Sequence, residues 1–100
     1  MTLSDKRMMD LCRCADGRAD VVFDSDTYNE IDDQFAIAYA LRNPEKLNIL
    51  GFTCAPFRKV SRAATIAEGI VKSCEEVRTG LRLSGEEKFL GRVYPGCESF

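Results

Sequence analysis

Apolar residues along the chain gather in short runs separated by turn-forming residues. Residues 20–25 hold Val21-Val22-Phe23, are apolar and β-branched, and are bounded by turn residues, which predicts a short, fully buried strand. Thr27-Tyr28-Asn29 reads as a loop, and a helix is expected from near Ile31 to about Arg42. Within it, Phe35 to Leu41 carries no charge. Asn43-Pro44 ends that helix, because proline restricts the residue before it and cannot continue the hydrogen-bond ladder. Leu47 to Cys54 reads as a second strand, closed by Ala55-Pro56. Ser61 is then placed to cap a long helix whose apolar positions Ala63, Ala64, Ile66, Ala67, Ile70, Val71, Cys74 and Val77 follow one helical face. It reaches Leu83, with Gly85 as its stop. Gly69 and Gly80 weaken it, since an interior glycine costs about 1 kcal/mol relative to alanine. Arg92-Val93-Tyr94 predicts a third strand, cut by Pro95-Gly96. Before all of these, Ser4 can cap a short helix over 5–14, with Met8, Met9, Leu11 and Cys12 as its apolar side and Asp16-Gly17 as its break.

Strand, helix, strand, helix, strand is the order of a parallel α/β sheet with right-handed crossovers. Ligands in such sheets sit beyond the carboxyl ends of the strands. Three strands are few, because a parallel sheet needs helices on both faces and protected edges. The expectation is therefore a partial α/β domain over 20–100 (βαβαβ), preceded by an N-terminal helix and loop over 1–19, together forming the N-terminal part of a larger protein. A complete 100-residue domain is the alternative.

Composition narrows the partners. A net charge of −2 with scattered Lys and Arg gives no basic footprint for nucleic acid or an anionic membrane. No apolar stretch approaches the roughly 20 residues needed to span a bilayer. No apolar signal region opens the chain, and the five cysteines are an odd count, so reduced thiols in the cytoplasm are expected. Cys12-x-Cys14 lacks further zinc ligands, since the chain has no histidine. Cys54 and Cys74 fall at apolar positions and read as small core residues.

The informative chemistry is acidic. Asp24, Asp26, Glu30, Asp32 and Asp33 lie within ten positions, between the first strand and its helix. Two carboxylates about 4 Å apart repel by roughly 1 kcal/mol in water and nearer 4 kcal/mol at an effective dielectric of about 20. A cation offsets that cost, and carboxylate oxygens suit calcium or magnesium rather than zinc. Asp32 and Asp33 also favour a helix N-terminus by about 0.3–1 kcal/mol each, which explains either one singly but not the whole cluster.

Asp24-Ser25-Asp26, a short loop, then Asp32-Asp33 and an apolar helix resembles the N-terminal signature of the nucleoside hydrolases. The common motif of that family reads Asp-x-Asp-Pro-Gly-x-Asp-Asp. Here Thr27-Tyr28-Asn29-Glu30-Ile31 makes the gap two residues longer, as in a branch with Asp-Thr-Tyr-Asn-Glu-Ile-Asp-Asp-Gln-Phe-Ala. The match is close from Asp24 to Leu41. Ala55-Pro56-Phe57, Lys72-Ser73, Glu75-Glu76 and Gly96 extend it weakly. The resemblance implies a Rossmann-like parallel sheet flanked by helices and a calcium-dependent hydrolase of the N-glycosidic bond in ribonucleosides or related ribosyl substrates. The open edges of a three-stranded sheet point to a homo-oligomer. It implies that Asp33 chelates calcium through both oxygens and that Asp26 binds the same ion and takes a proton from the attacking water. Asp32 would hold a ribose hydroxyl, and Asp24 would orient the others. Further metal ligands and the histidine that helps the base depart would lie beyond Phe100. Lys59 stands where that branch carries an asparagine after Ala-Pro-Phe-Phe, which puts substrate choice, or activity, in question.

Other classes fit less well. An EF-hand counted from Asp24 fails at Tyr28, Asn29 and Phe35, which occupy positions that need an acidic residue, glycine and glutamate. A haloacid-dehalogenase-like magnesium phosphatase, with Asp24 as nucleophile, fits Val-Val-Phe-Asp-Ser-Asp but finds Tyr28 where threonine is needed. It also leaves Asp32-Asp33 without a role. A non-catalytic truncated paralogue is the third reading. Lys72, Glu75 and Glu76 read as a solvated helix face.

Overall fold

The computed structural model describes residues 2–14, 16–57 and 62–98. The first element, α1 (Asp5–Leu11), starts at Ser4, whose hydroxyl accepts from the Arg7 amide at 3.2 Å. It ends at Leu11, three residues short of the expected span, and buries none of its residues, so the apolar side formed by Met8, Met9 and Leu11 stays exposed.

Strand β1 (Ala19–Ser25) leads through the acidic loop into α2 (Asp32–Leu41). Asn43 stops α2 as the sequence predicts, its side-chain amide donating to the Tyr39 carbonyl at 2.7 Å. Strand β2 (Leu47–Cys54) matches the expected span. Helix α3 (Ile66–Leu83) begins later than the sequence suggests. Ser61 lies outside the described residues; the N-cap is Thr65, whose hydroxyl accepts from the Glu68 amide at 3.1 Å while Glu68 accepts from the Ala64 amide at 2.9 Å. Gly85 ends it as expected, at φ 72°, where an L side chain is strained. The Glu86 amide there donates to the Leu81 carbonyl at 2.8 Å, closing the last turn. An unforeseen 3-10 turn, Glu87–Arg92, then delivers the short strand β3 (Val93–Pro95).

The three strands form one parallel sheet in the order β1-β2-β3. This is an α/β architecture, as the element order predicts. Crossovers of one hand between strands laid down in sequence order place both helices on one face. The core follows from that. Ile37, Ala40 and Leu41 of α2 and Ile70, Cys74, Val77 and Leu81 of α3 pack with Ile49, Phe52, Cys54 and Val93 of the sheet. Cys54 and Cys74 are buried thiols, as expected, and no cysteine is in a disulfide.

Among the described residues no helix covers the opposite face. Val22 and Tyr94 are exposed there, and Asp20 and Asp24 alternate with them. The expectation that residues 20–25 are fully buried is therefore corrected: β1 alternates, because only its Val21–Phe23–Ser25 side meets the helices. The pairing also slips by one residue. Val21 pairs with Ile49 but Val22 pairs with Gly51, which leaves Leu50 as an extra residue. No helix among the described residues is long and apolar enough to cross a membrane.

Candidate functional site

The carboxyl end of β1 is pinned before the loop begins. Ser25 and Thr27 are both buried, and their hydroxyls hydrogen-bond each other. With these two anchored, Asp26 sits at the rim, half-buried. Asn29 then turns the chain: its amide N–H donates to the Asp26 carbonyl at 2.7 Å, and its side-chain Nδ2 donates to Asp26 Oδ2 at 2.9 Å. Asp26 is thus gripped through backbone and carboxylate by one residue.

Helix α2 opens with Ile31 at the N-cap, which has no side chain able to cap. Asp32 takes over part of that task, its Oδ1 accepting from the Asp33 amide at 3.1 Å. Asp33, one position on, meets Asp26. The two carboxyls lie within hydrogen-bonding reach, and Asp33 holds its proton up to about pH 6, against an ordinary value near 3.8. Burial is the largest cause, followed by the hydrogen bond with Asp26 and then the negative charges of Asp26, Asp32 and Glu30.

The structure thus brings together Asp26 and Asp33, with Asp32 and Glu30 in electrostatic range. Asp24 is held apart. It belongs to the uncovered face of β1, is exposed, and accepts from Thr53 Oγ1 on β2 at 2.6 Å. Among the described residues no three His, Cys, Asp or Glu side chains converge tightly enough to hold a metal ion. The Asp26–Asp33 pair fits a hard divalent cation in kind: both donors are carboxylates, and their proximity is what a cation would relieve. In number they supply about two to four of the six to eight oxygens that calcium takes.

Around the loop, three contacts were not anticipated from the sequence. Tyr28 stacks with Phe57 at 6.2 Å between ring centroids and 22° between planes. Lys72 of α3 reaches across to lie 5.6 Å from the Tyr28 ring centre, while pairing with Glu68 at 2.9 Å and donating to the Arg62 carbonyl. Arg62 also donates to the Tyr28 carbonyl at 3.3 Å. Lys72 is therefore a loop contact as well as part of a helix face, a correction to the solvated reading. Glu76 is corrected likewise: its Oε1 accepts from Gln34 Nε2 at 3.2 Å and ties α3 to α2. Glu75 is exposed, as expected. The signal for these contacts is topological. Tyr28 and Phe57 follow neighbouring parallel strands, whose carboxyl ends must come together. Lys59 lies outside the described residues.

No protein-family model, curated protein or solved structure matches the chain.

A cavity of about 250 Å³ opens at the other end of the sheet, lined by Leu41, Leu47 and Phe89 together with Arg18, Glu86 and Arg92. It shares no lining residue with the acidic loop.

Proposed function

We propose that this strand–loop–helix unit is the acidic half-site of a calcium-dependent ribonucleoside hydrolase, cleaving the bond between ribose and base. The observation that supports it is the Asp26–Asp33 carboxyl pair at the carboxyl end of a parallel strand, where α/β sheets place ligands. Bound there, calcium would orient the ribose hydroxyls and acidify a coordinated water. The chain's own residues divide the remaining work. Asp33, at the base of α2, holds the cation. Asp26, oriented by Asn29 and set beside Asp33, would bind the same ion and take a proton from the attacking water. Asp32, whose Oδ1 caps the helix, would hold a ribose hydroxyl. The negative field of the cluster stabilises positive charge as the glycosidic bond stretches.

Asp24 is given a smaller part than the family resemblance implies. Its bond to Thr53 stiffens the strand end and does not join the carboxyl pair. The same placement argues against the magnesium phosphatase reading, in which Asp24 and Asp26 would act on one phosphoryl group.

The chain has no histidine to protonate a departing base. The carboxyl pair supplies part of a calcium shell, and one sheet face is uncovered. We therefore assign the reaction to an assembled enzyme, in a nucleoside-hydrolase-like fold, in which this unit is the N-terminal part. The test is calcium-dependent release of ribose from inosine or uridine by a protein carrying this unit. Asp26→Ala and Asp33→Ala should each lower kcat/KM by at least about a hundredfold, the range for a lost catalytic base or ligand. Glu30→Ala should retain most of the activity. Equal losses at Asp33 and Glu30 would refute the assignment, and phosphate release abolished by Asp24→Asn would favour the phosphatase.

A further inference from the structure

Sulfur is unevenly placed along the chain. Of its five cysteines and three methionines, Met8, Met9, Cys12 and Cys14 fall within seven positions, in Met-Met-Asp-Leu-Cys-Arg-Cys. Free cysteines and methionines normally belong to a core. Cys54 and Cys74 do, packed among Phe52, Ile70 and Val77. The N-terminal group does not. Helix α1 buries none of its residues, Met8 is 46% and Met9 73% exposed, and both cysteines are exposed. Core packing therefore does not account for this group.

We propose that the Cys12 and Cys14 thiols, with the Met8 thioether, form a site for a soft monovalent metal ion, copper(I). The inference is independent of the proposed reaction, and it needs no residue outside positions 8–14.

Local structure brings the donors within reach of one another. Cys12 caps α1 with φ −81° and ψ −7°, and its amide donates to the Met8 carbonyl at 3.0 Å, so the helical turn runs through it. Residues four apart on such a turn are neighbours on one face, which pairs Cys12 with Met8. Cys14 follows two residues on, where its Cα lies no more than about 7 Å from that of Cys12. That span lets two thiolates close on one ion. Arg13, between them, is drawn back one turn, its guanidinium pairing with Asp10 at 3.6 Å.

Donor chemistry chooses the metal. Thiolate and thioether are soft ligands, which favour copper(I) over the hard cations that carboxylates take. Zinc also binds thiolates but closes a tetrahedral set of four ligands in such a site. The chain has no histidine, and among the described residues no three His, Cys, Asp or Glu side chains converge on a metal. Copper(I) accepts linear or trigonal sulfur coordination, which two thiolates and one thioether complete. Binding displaces one proton from each thiol and changes no oxidation state. The complex carries one negative charge, and Arg13 lies between its ligands in the chain.

The test is an anaerobic titration of the 100-residue chain with copper(I), in competition with bicinchoninate, a chromogenic copper(I) chelator. The chain should take one equivalent from the chelator and gain a thiolate-to-copper absorption band in the ultraviolet. Cys12→Ser and Cys14→Ser should each weaken binding by at least about a hundredfold, since even an outer-shell contact is worth up to about that much. Met8→Leu should weaken it by about tenfold. Cys97→Ser, far along the chain, should leave it unchanged, and equimolar zinc should not displace the copper. Met8, Cys12, Cys14 and Cys97 are all exposed, so none of these changes perturbs the core. Circular dichroism checks that the variants keep the wild-type helix content. A chain that leaves all the copper(I) on the chelator overturns the proposal. So does binding that survives Cys12→Ser and Cys14→Ser together, binding lost equally with Cys97→Ser, or displacement of the copper by equimolar zinc. An affinity indifferent to Met8→Leu overturns the part given to the thioether.

Discussion

Asn29 donates its side-chain amide to Asp26 Oδ2 at 2.9 Å, so the loop that joins strand to helix also sets the direction of the carboxylate it carries. The two residues are three apart and form one turn, closed again by the Asn29 amide on the Asp26 carbonyl. The longer loop has a use in this light: it contains the residue that orients the acid.

A first prediction concerns calcium. The pair Asp26–Asp33 supplies too few oxygens for tight binding, so the 100-residue chain should bind calcium with a dissociation constant of about a millimolar or weaker. Titration followed by amide chemical shifts should move signals at Asp26, Asn29 and Asp33, and Asp33→Ala should remove the response. Asn29→Ala should weaken it severalfold by releasing Asp26. A site of micromolar affinity or better in this chain would show that the ligand set is already complete.

The pH dependence of stability has a definite sign. Asp33 is raised to about 6 in the folded chain, by burial first and then by Asp26. The folded state therefore favours the protonated form. That contribution is fully present below about pH 3.8 and is lost as pH rises through about 6. Asp33→Asn mimics the protonated acid. In metal-free buffer its urea midpoint should gain on that of the wild type as pH increases from about 4 to 7. A constant difference across that window would mean the two carboxyls do not share a proton.

Two glycines on one helix should respond in opposite directions. A Cβ at Gly69 would collide with the Phe57 carbonyl, which is backbone and has little room to retreat. Gly69→Ala should destabilise by about 1–3 kcal/mol. Gly80 has open space, and Gly80→Ala should stabilise by about 0.5–1 kcal/mol through helix propensity. Denaturation midpoints of the two variants moving the same way would contradict the close approach of α3 to Phe57.

Thiol labelling should split the cysteines. Cys12, Cys14 and Cys97 are exposed, whereas Cys54 and Cys74 are buried. Burial, and then the hydrogen bond with Cys74, push the Cys54 thiol far above its ordinary range, so it holds no thiolate at neutral pH. A chromogenic disulfide reagent should titrate three thiols quickly and the other two only on unfolding. Fast reaction of all five would mean that the core around Phe52 is open.

Most of the elements were legible in the sequence because their punctuation is local. Asn43-Pro44 and Gly85 end helices by their own backbone chemistry, and β2 is bracketed closely enough to be located at both ends. That Asp26 and Asp33 belong together was an expectation from the family resemblance; the spacing alone does not choose them over Asp24, Glu30 or Asp32. What sequence could not supply was the side of the sheet. Whether Asp24 joins the pair or turns to Thr53 depends on which face α2 and α3 cover, and a run such as Val21-Val22-Phe23 looks the same with one face covered or two. The reach of Lys72 to Tyr28, and of Glu76 to Gln34, likewise depends on tertiary packing between helices far apart in sequence. The cap at Thr65 was missed because the apolar pattern continues upstream of it through Ala63 and Ala64.

Leu50 resets the parity of β2. Before it, odd-numbered positions such as Leu47 and Ile49 look toward the helices; after it, even-numbered Phe52 and Cys54 do. Excising this one leucine would therefore close the strand like a picked-up stitch: Ile49 would run straight into Gly51, every β1 residue from Ala19 to Ser25 would keep its partner, and Phe52, Thr53 and Cys54 would keep their faces. Leu50 is exposed and holds no place in the ladder, so both its substitution and its loss should be tolerated.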